Sequence, residues 1–214
     1  RVVWGLPHVF AVFLIVAASG ALNVASVASV FKKTLYQPLS RLSGLLAMSL
    51  LVGGLSVLVL DLGRPDRLII AMTYYNFKSI FAWNIFLYTG LLVVVAVYLW
   101  MMFEPRMNRF IGGVGKIAFI WRLILTTGTG SIFGVLVARE AFGSVVLIPM
   151  FIAMSLSFGT AVMLLAIILI FRLSRVSVKD EVIMRLRPLL AYFVIAVAFF
   201  VAVDHLTRLY VVGD

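Results

Sequence analysis

Seven residues, Asp61-Leu62-Gly63-Arg64-Pro65-Asp66-Arg67, gather two carboxylates and two guanidinium groups directly behind an unbroken apolar stretch, Leu55-Ser56-Val57-Leu58-Val59-Leu60. Asp61 stands at the edge of that stretch. Partial desolvation there favours its protonated form, whereas Arg64 or Arg67 nearby favours the ionised form. A carboxylate held in such a balance can accept a proton from a bound hydroquinone and pass it on. The bland reading is a helix-ending aspartate paired with the arginines of its own loop. A second group with acid–base capacity is His8, just inside the first apolar run. At 100° per residue Ser19 and Ser26 fall within about 20° of His8 and Asn23 within about 60°, which makes one polar stripe along a helix. His8 could hydrogen-bond a quinone carbonyl. For Ser19 and Ser26 ordinary interhelical bonding, about 0.6 kcal/mol each, is the better expectation.

Other charged residues have competing readings. Arg122, inside the fourth run, is expected to snorkel to the membrane surface; otherwise it faces the bundle interior with Thr126, Thr127 and Thr129. Asp204 and Arg208 are i,i+4 neighbours and should pair, leaving His205 to point elsewhere. Two histidines allow at most one bis-histidine haem, and none is expected in this chain. With no cysteine, the 214 residues hold no Cys-ligated iron–sulfur cluster, disulfide or thiolate nucleophile.

The elements that must position these groups are apolar runs: Gly5–Phe31, Leu39–Leu60, Ile80–Phe103, Ile117–Ala138, Val145–Phe171 and Leu189–Leu209. The hydrophobic fraction is 64%, against about 45–50% for a soluble domain, and mean hydropathy is +1.18. A spanning helix needs about 20 mainly apolar residues and a spanning strand about 9–11, so these lengths predict helices and exclude a β-barrel. The fold expected is all-α: a polytopic transmembrane helical bundle of about six spanning helices, with residues 1–214 as one domain. The first run is too long for a signal-peptide core and carries Ser19 and Asn23, so it is read as a span. Pro65 and Gly63 should stop the second helix near Asp61, and Leu68–Phe77 reads as a short interfacial helix. Small residues recur four apart at Ser43/Ala47, Gly130/Gly134 and Ser155/Gly159, a spacing for close helix packing.

Charge placement gives an orientation. Eleven Lys and Arg fall on the side of the first, third and fifth connections and six on the other, which puts the first side in the cytoplasm and both termini outward. The outward side then collects His8, His205 and five of the eight acidic residues (Asp61, Asp66, Glu140, Asp204 and Asp214), a surface suited to proton and electron chemistry.

Trp4-Gly5-Leu6-Pro7-His8, Ala18-Ser19-Gly20-Ala21 and above all the Asp61–Arg67 loop resemble the NrfD/PsrC-type, polysulfide reductase-like quinone-interacting membrane subunits. Tyr75-Asn76-Phe77-Lys78-Ser79 through Trp83-Asn84 is most similar to the DsrP-type subunit of a sulfite-reduction-associated complex. The resemblance implies a multi-pass subunit of the prokaryotic cytoplasmic (inner) membrane, the quinone-reactive part of a multi-subunit quinol oxidoreductase tied to sulfur metabolism. It implies menaquinone or ubiquinone as cofactor and a periplasmic ferredoxin-like iron–sulfur subunit as electron partner. Other membrane and cytochrome subunits would complete the complex, and no nucleic acid is involved. By resemblance His8 contacts the quinone head group; the residues themselves add Asp61 as its proton partner, place Arg64, Asp66 and Arg67 with these two as the quinone-binding set, and leave Arg64 and Arg67 to hold the loop and the partner protein. The family usually has eight to ten helices, so a chain with six is expected to be an incomplete part of such a subunit, a truncated form or a shorter member. Two readings compete: a secondary transporter whose polar stripe and Arg122 line a path, and a structural anchor indifferent to substitution of His8 or Asp61.

Overall fold

In lipid a backbone finds no water, so each apolar run must satisfy its N–H and C=O groups internally, and helices do so. A computed structural model describes residues 5–30, 37–61, 73, 80–135, 144–174 and 180–211. The helices are α1 (Leu6–Ala21), α2 (Asn23–Val30), α3 (Gln37–Asp61), α4 (Ile80–Phe103), α5 (Ile111–Val135), α6 (Leu147–Ser174) and α7 (Asp180–Val211), with a 3-10 segment, Pro105–Phe110, leading into α5. Among the described residues there is no strand. Among the described residues six spans are long and apolar enough to cross a membrane, the first formed by α1 and α2 together over Leu6–Ser26. This is a multi-pass α-helical membrane protein. By the succession of six crossings, the start of α1 and the end of α7 lie on one face, termed the N-terminal face.

The first span is the centre of the bundle. Two-thirds of it (67%) is buried, against 6% of the last, and its largest contacts are with α3 and α6. Close approach needs small residues, and the spacings seen in the sequence supply them. A Cβ on Gly20 would strike the Ser155 carbonyl, and one on Gly159 would strike Gly20 and Ala21, so α1 and α6 touch backbone to backbone. Gly130 lies against Ile148 of α6 (3.0 Å from its Cβ position), and Gly134 against the Ser144 carbonyl (3.1 Å). Ser43 and Ala47 of α3 are buried. The largest apolar cluster joins α1, α3, α4 and α5 through Ile15, Leu51, Leu91, Val95 and Leu125.

Three element boundaries differ from the sequence reading. Helix α5 begins at Ile111 rather than Ile117, despite Gly112, Gly113 and Gly115, each costing about 1 kcal/mol in a helix. Packing offsets this: Ile111, Val114 and Ala118 face the core. Helix α7 begins at Asp180 rather than Leu189 and continues through Pro188. Val182 and Leu186 are buried against α6 and α2 and anchor its first turns, while Glu181 pairs with Arg185 at 2.7 Å. The first run, read as one helix, is broken at Leu22.

That break contains no proline. The Ser43 hydroxyl of α3 donates to Ala21 O (2.5 Å) and accepts from Ala25 N (3.1 Å), the two groups that would bond each other in an unbroken helix. A side chain has inserted into the i→i−4 ladder, one of the few physical causes of a helix kink. One turn earlier Ser19 O accepts from Arg122 Nη1 at 3.0 Å, and Ala25 O accepts from the Tyr98 hydroxyl at 3.0 Å. Side chains of α3, α4 and α5 thus supply partners around the break.

Candidate functional site

His8 lies in the first turn of α1. Gly5 precedes the helix in extended conformation, Pro7 occupies the first turn where its missing N–H is harmless, and His8 N donates to Gly5 O at 3.1 Å. Along α1 the inner stripe runs His8, Ala11, Ile15, Ser19; the last three are buried and His8 is half-buried. Its neighbours Leu6, Val9 and Phe10 are exposed at 70%, 62% and 54%, giving an apolar flank beside an imidazole.

Asp61 is the last residue of α3. Its side chain, and all of Arg64, Asp66 and Arg67, lie outside the described residues; so does the expected interfacial helix Leu68–Phe77 except Thr73, which is helical and exposed. Depth can still be read from helix register. Gly54 of α3 sits against Ala11, Leu14 and Ile15 of α1. From that contact Asp61 lies about 10 Å further toward the N-terminal face and His8 about 5–10 Å, at 1.5 Å per residue. The two residues end at comparable depth on the most extensively packed helix pair.

The interior polar residues form a line that the sequence reading only partly foresaw. Near the N-terminal face, Thr129 bonds the Asn84 carboxamide (3.4 Å) and the Tyr88 hydroxyl (3.3 Å). One turn deeper, Ser19 and Thr126 share a hydrogen bond of 2.9 Å. Next comes Arg122, 3% exposed, which donates from Nη1 to Ser19 O and to Asn23 Oδ1. Its guanidinium carbon lies 4.7 Å from the centre of the Phe119 ring. Beyond it follow Ser43 and Tyr98 at the helix break.

Arg122 therefore does not snorkel. Because α5 starts at Ile111, the residue lies about three turns deep, too far from the surface for its side chain, and the break in the first span offers it carbonyl acceptors. Ser19 behaves as expected, as an interhelical bonding group. Asn84, Tyr88, Tyr98 and Ser43 were not foreseen as a group. For the tyrosines the available signal was the spacing Tyr88, Leu91, Val95, Tyr98, a single helical face that is buried throughout.

At the end of α7 Arg208 Nε donates to Asp204 Oδ2 at 2.8 Å, as the spacing predicts. His205 is exposed and its Nδ1–H donates to Val201 O at 2.9 Å within its own helix. Among the described residues no group of three or more His, Cys, Asp or Glu side chains converges on one point.

Comparison with known proteins identifies the architecture. The chain is 29% identical over 213 residues to an Hdr-like menaquinol oxidoreductase integral membrane subunit of Archaeoglobus fulgidus, covering 99% of this chain and 53% of that protein. It is 22% identical over 199 residues to a selenate reductase subunit of Mesobacillus selenatarsenatis (75% of this chain, 47% of the relative). It is 26% identical over 215 residues to a protein of Halobacterium salinarum named as a dimethyl sulfoxide reductase membrane subunit (89% and 48%). The chain spans about half the length of these curated relatives. The family model described as "Polysulphide reductase, NrfD" matches residues 1–212, and with that match over a six-span helical bundle the chain belongs to the NrfD family of membrane subunits.

Proposed function

We propose that this chain is the quinone-reactive membrane subunit of a respiratory oxidoreductase complex. It takes electrons from quinol, or returns them to quinone, at the N-terminal face, which is the outward, periplasmic side. The observation that carries this reading is the position of His8: a half-buried imidazole on the inner stripe of α1, at the depth where α3 ends in Asp61, in a chain of the NrfD family. The three relatives, named as subunits of a menaquinol oxidoreductase, a selenate reductase and a dimethyl sulfoxide reductase, support the same reading.

The residues present suit a quinone. An imidazole can donate to or accept from the head-group oxygen, and the exposed Leu6, Val9 and Phe10 offer apolar contact for a prenyl tail arriving from the lipid. Oxidation of a quinol releases two protons and two electrons. His8 would accept one hydroxyl proton and Asp61 the other, both discharging to the adjacent aqueous phase. Arg64, Asp66 and Arg67 would shape the loop against the partner. With no cysteine in the chain to hold a cluster, the electrons would pass to a periplasmic ferredoxin-like iron–sulfur subunit. Further membrane and cytochrome subunits would complete the assembly, in the prokaryotic cytoplasmic membrane.

A secondary transporter is the competing reading, and the break at Leu22 is the feature that favours it. The break is stitched by Ser43 inside packed protein, which supports a static role instead.

The test is a quinol-analogue titration followed by fluorescence quenching on the purified complex, with His8→Ala and Asp61→Asn beside the parent. Saturable binding in the parent, weakened about tenfold (about 1.4 kcal/mol) in either variant, is expected. A folded parent complex that shows no saturable binding overturns the reading.

A further inference from the structure

The line of polar side chains through the bundle has a length and a composition that bear on proton movement. From Asn84 to Tyr98 along α4 it extends about 21 Å, at 1.5 Å per residue, out of a hydrocarbon core about 30 Å thick. Its hydroxyl members, Tyr88, Thr129, Thr126, Ser19, Ser43 and Tyr98, each carry both a proton to donate and lone pairs to accept one. Tyr88 bonds Thr129 and Ser19 bonds Thr126, while Thr126, Thr129, Ser43 and Tyr98 also donate to backbone carbonyls, so a relay along this line needs those hydroxyls to turn from their carbonyls toward one another or toward water.

Arg122 interrupts the succession. A guanidinium donates in every direction and accepts in none. It donates to Ser19 O on one side and to Asn23 Oδ1 on the other, and its Nε is buried with no acceptor. Among the described residues no carboxylate pairs with it; the ion pairs there are Arg185–Glu181 and Arg208–Asp204. Its charge is therefore uncompensated by any described side chain in a low-dielectric interior, where the repulsion it exerts on another cation is strongest. A positive group set into a narrow polar path is a known physical means of excluding protons and cations.

We propose that Arg122 is a proton barrier: a fixed cation near mid-depth that prevents the polar line from carrying protons between the two faces of the membrane. The Ser43-stitched break in the first span serves this arrangement, because it leaves Ser19 O and the Asn23 side chain as the acceptors that hold the guanidinium in place. The inference does not depend on the quinone site. Leak is read without quinol, so failure of one reading leaves the other standing.

The test uses the full polypeptide reconstituted in liposomes with a potassium gradient, valinomycin and an internal pH dye. The parent should be as tight as protein-free vesicles. Arg122→Ala should raise proton influx at least about tenfold, Arg122→Lys should restore tightness because it keeps the charge, and adding Thr126→Val to Arg122→Ala should close the leak again by removing a relay hydroxyl. Asn23→Asp, nearly isosteric, sets a carboxylate against the guanidinium and should also leak; it serves if Arg122→Ala does not fold, as judged by size exclusion and circular dichroism. The proposal is overturned if folded Arg122→Ala is as tight as the parent, if Arg122→Lys leaks as much as Arg122→Ala, or if Asn23→Asp stays tight.

Discussion

Ser43→Ala removes one oxygen atom from the centre of the bundle and should be far more damaging than its size suggests. The hydroxyl is buried and joins two backbone groups of a neighbouring helix, Ala21 O at 2.5 Å and Ala25 N at 3.1 Å. Counted only as two interhelical hydrogen bonds, it would contribute about 1 kcal/mol at the mean value of about 0.6 each. The variant, however, withdraws the hydroxyl from two buried backbone groups, and a buried group left unsatisfied costs about 1–3 kcal/mol. The helix can recover part of this by closing the Ala21–Ala25 rung itself. Closing it moves Ser19 O and Asn23 against Arg122, whose bonds to both are then disturbed. We expect a net loss of about 2–4 kcal/mol, between those two limits. Ser49 and Ser56 provide internal controls on the same helix, since both bond only their own i−4 carbonyls, at 2.9 and 2.8 Å, and are not buried. Their alanine variants should change stability by no more than about 0.5 kcal/mol. Unfolding in mixed micelles, titrated with SDS and followed by circular dichroism, compares the three directly. If Ser43→Ala loses no more than Ser49→Ala, the first span closes its own ladder and Ser43 is not the cause of the break.

Two further contrasts test the packing and the charge pairs. Gly159→Ala should cost about 1–3 kcal/mol by forcing α1 and α6 apart, because its new methyl would meet the Gly20 and Ala21 backbone, whereas Gly113→Ala, with nothing within 4 Å, should be neutral or stabilising by up to about 1 kcal/mol; thermal unfolding of both in detergent decides. Arg208→Ala takes the Nε–H donor and the compensating charge from the buried Asp204 and should cost about 1–3 kcal/mol. Arg185→Ala breaks an exposed pair with Glu181 and should stay within about 0.5 kcal/mol, and equal losses in the same unfolding assay would refute the distinction.

Much of this molecule was legible in its residue order because lipid imposes a simple rule. Six apolar runs of sufficient length had to become helices, and their number, class and small-residue contacts followed from length and spacing alone. The Asp204–Arg208 pair was legible for the same reason: an i,i+4 contact is fixed by one helix and needs no knowledge of another. The ends of α5 and α7 were not, since three glycines and Pro188 argue locally against helix and only packed neighbours outweigh them.

The interior of the site divides along the same line. Sequence alone determined that His8 stands near the start of the first span, that Asp61 ends the second, and that no cysteine is present to bind a cluster, because these are statements about position and composition. Tertiary structure decided the rest. Arg122 turned inward rather than toward the surface because a serine from α3 opens the first span at Leu22, and the carbonyls and carboxamide around that opening supply the acceptors a buried guanidinium must have. No pattern within the first or fifth helix encodes that exchange. It exists only where α2, α3 and α5 meet, since a hydrogen bond between helices depends on which carbonyl the neighbouring backbone leaves unpaired.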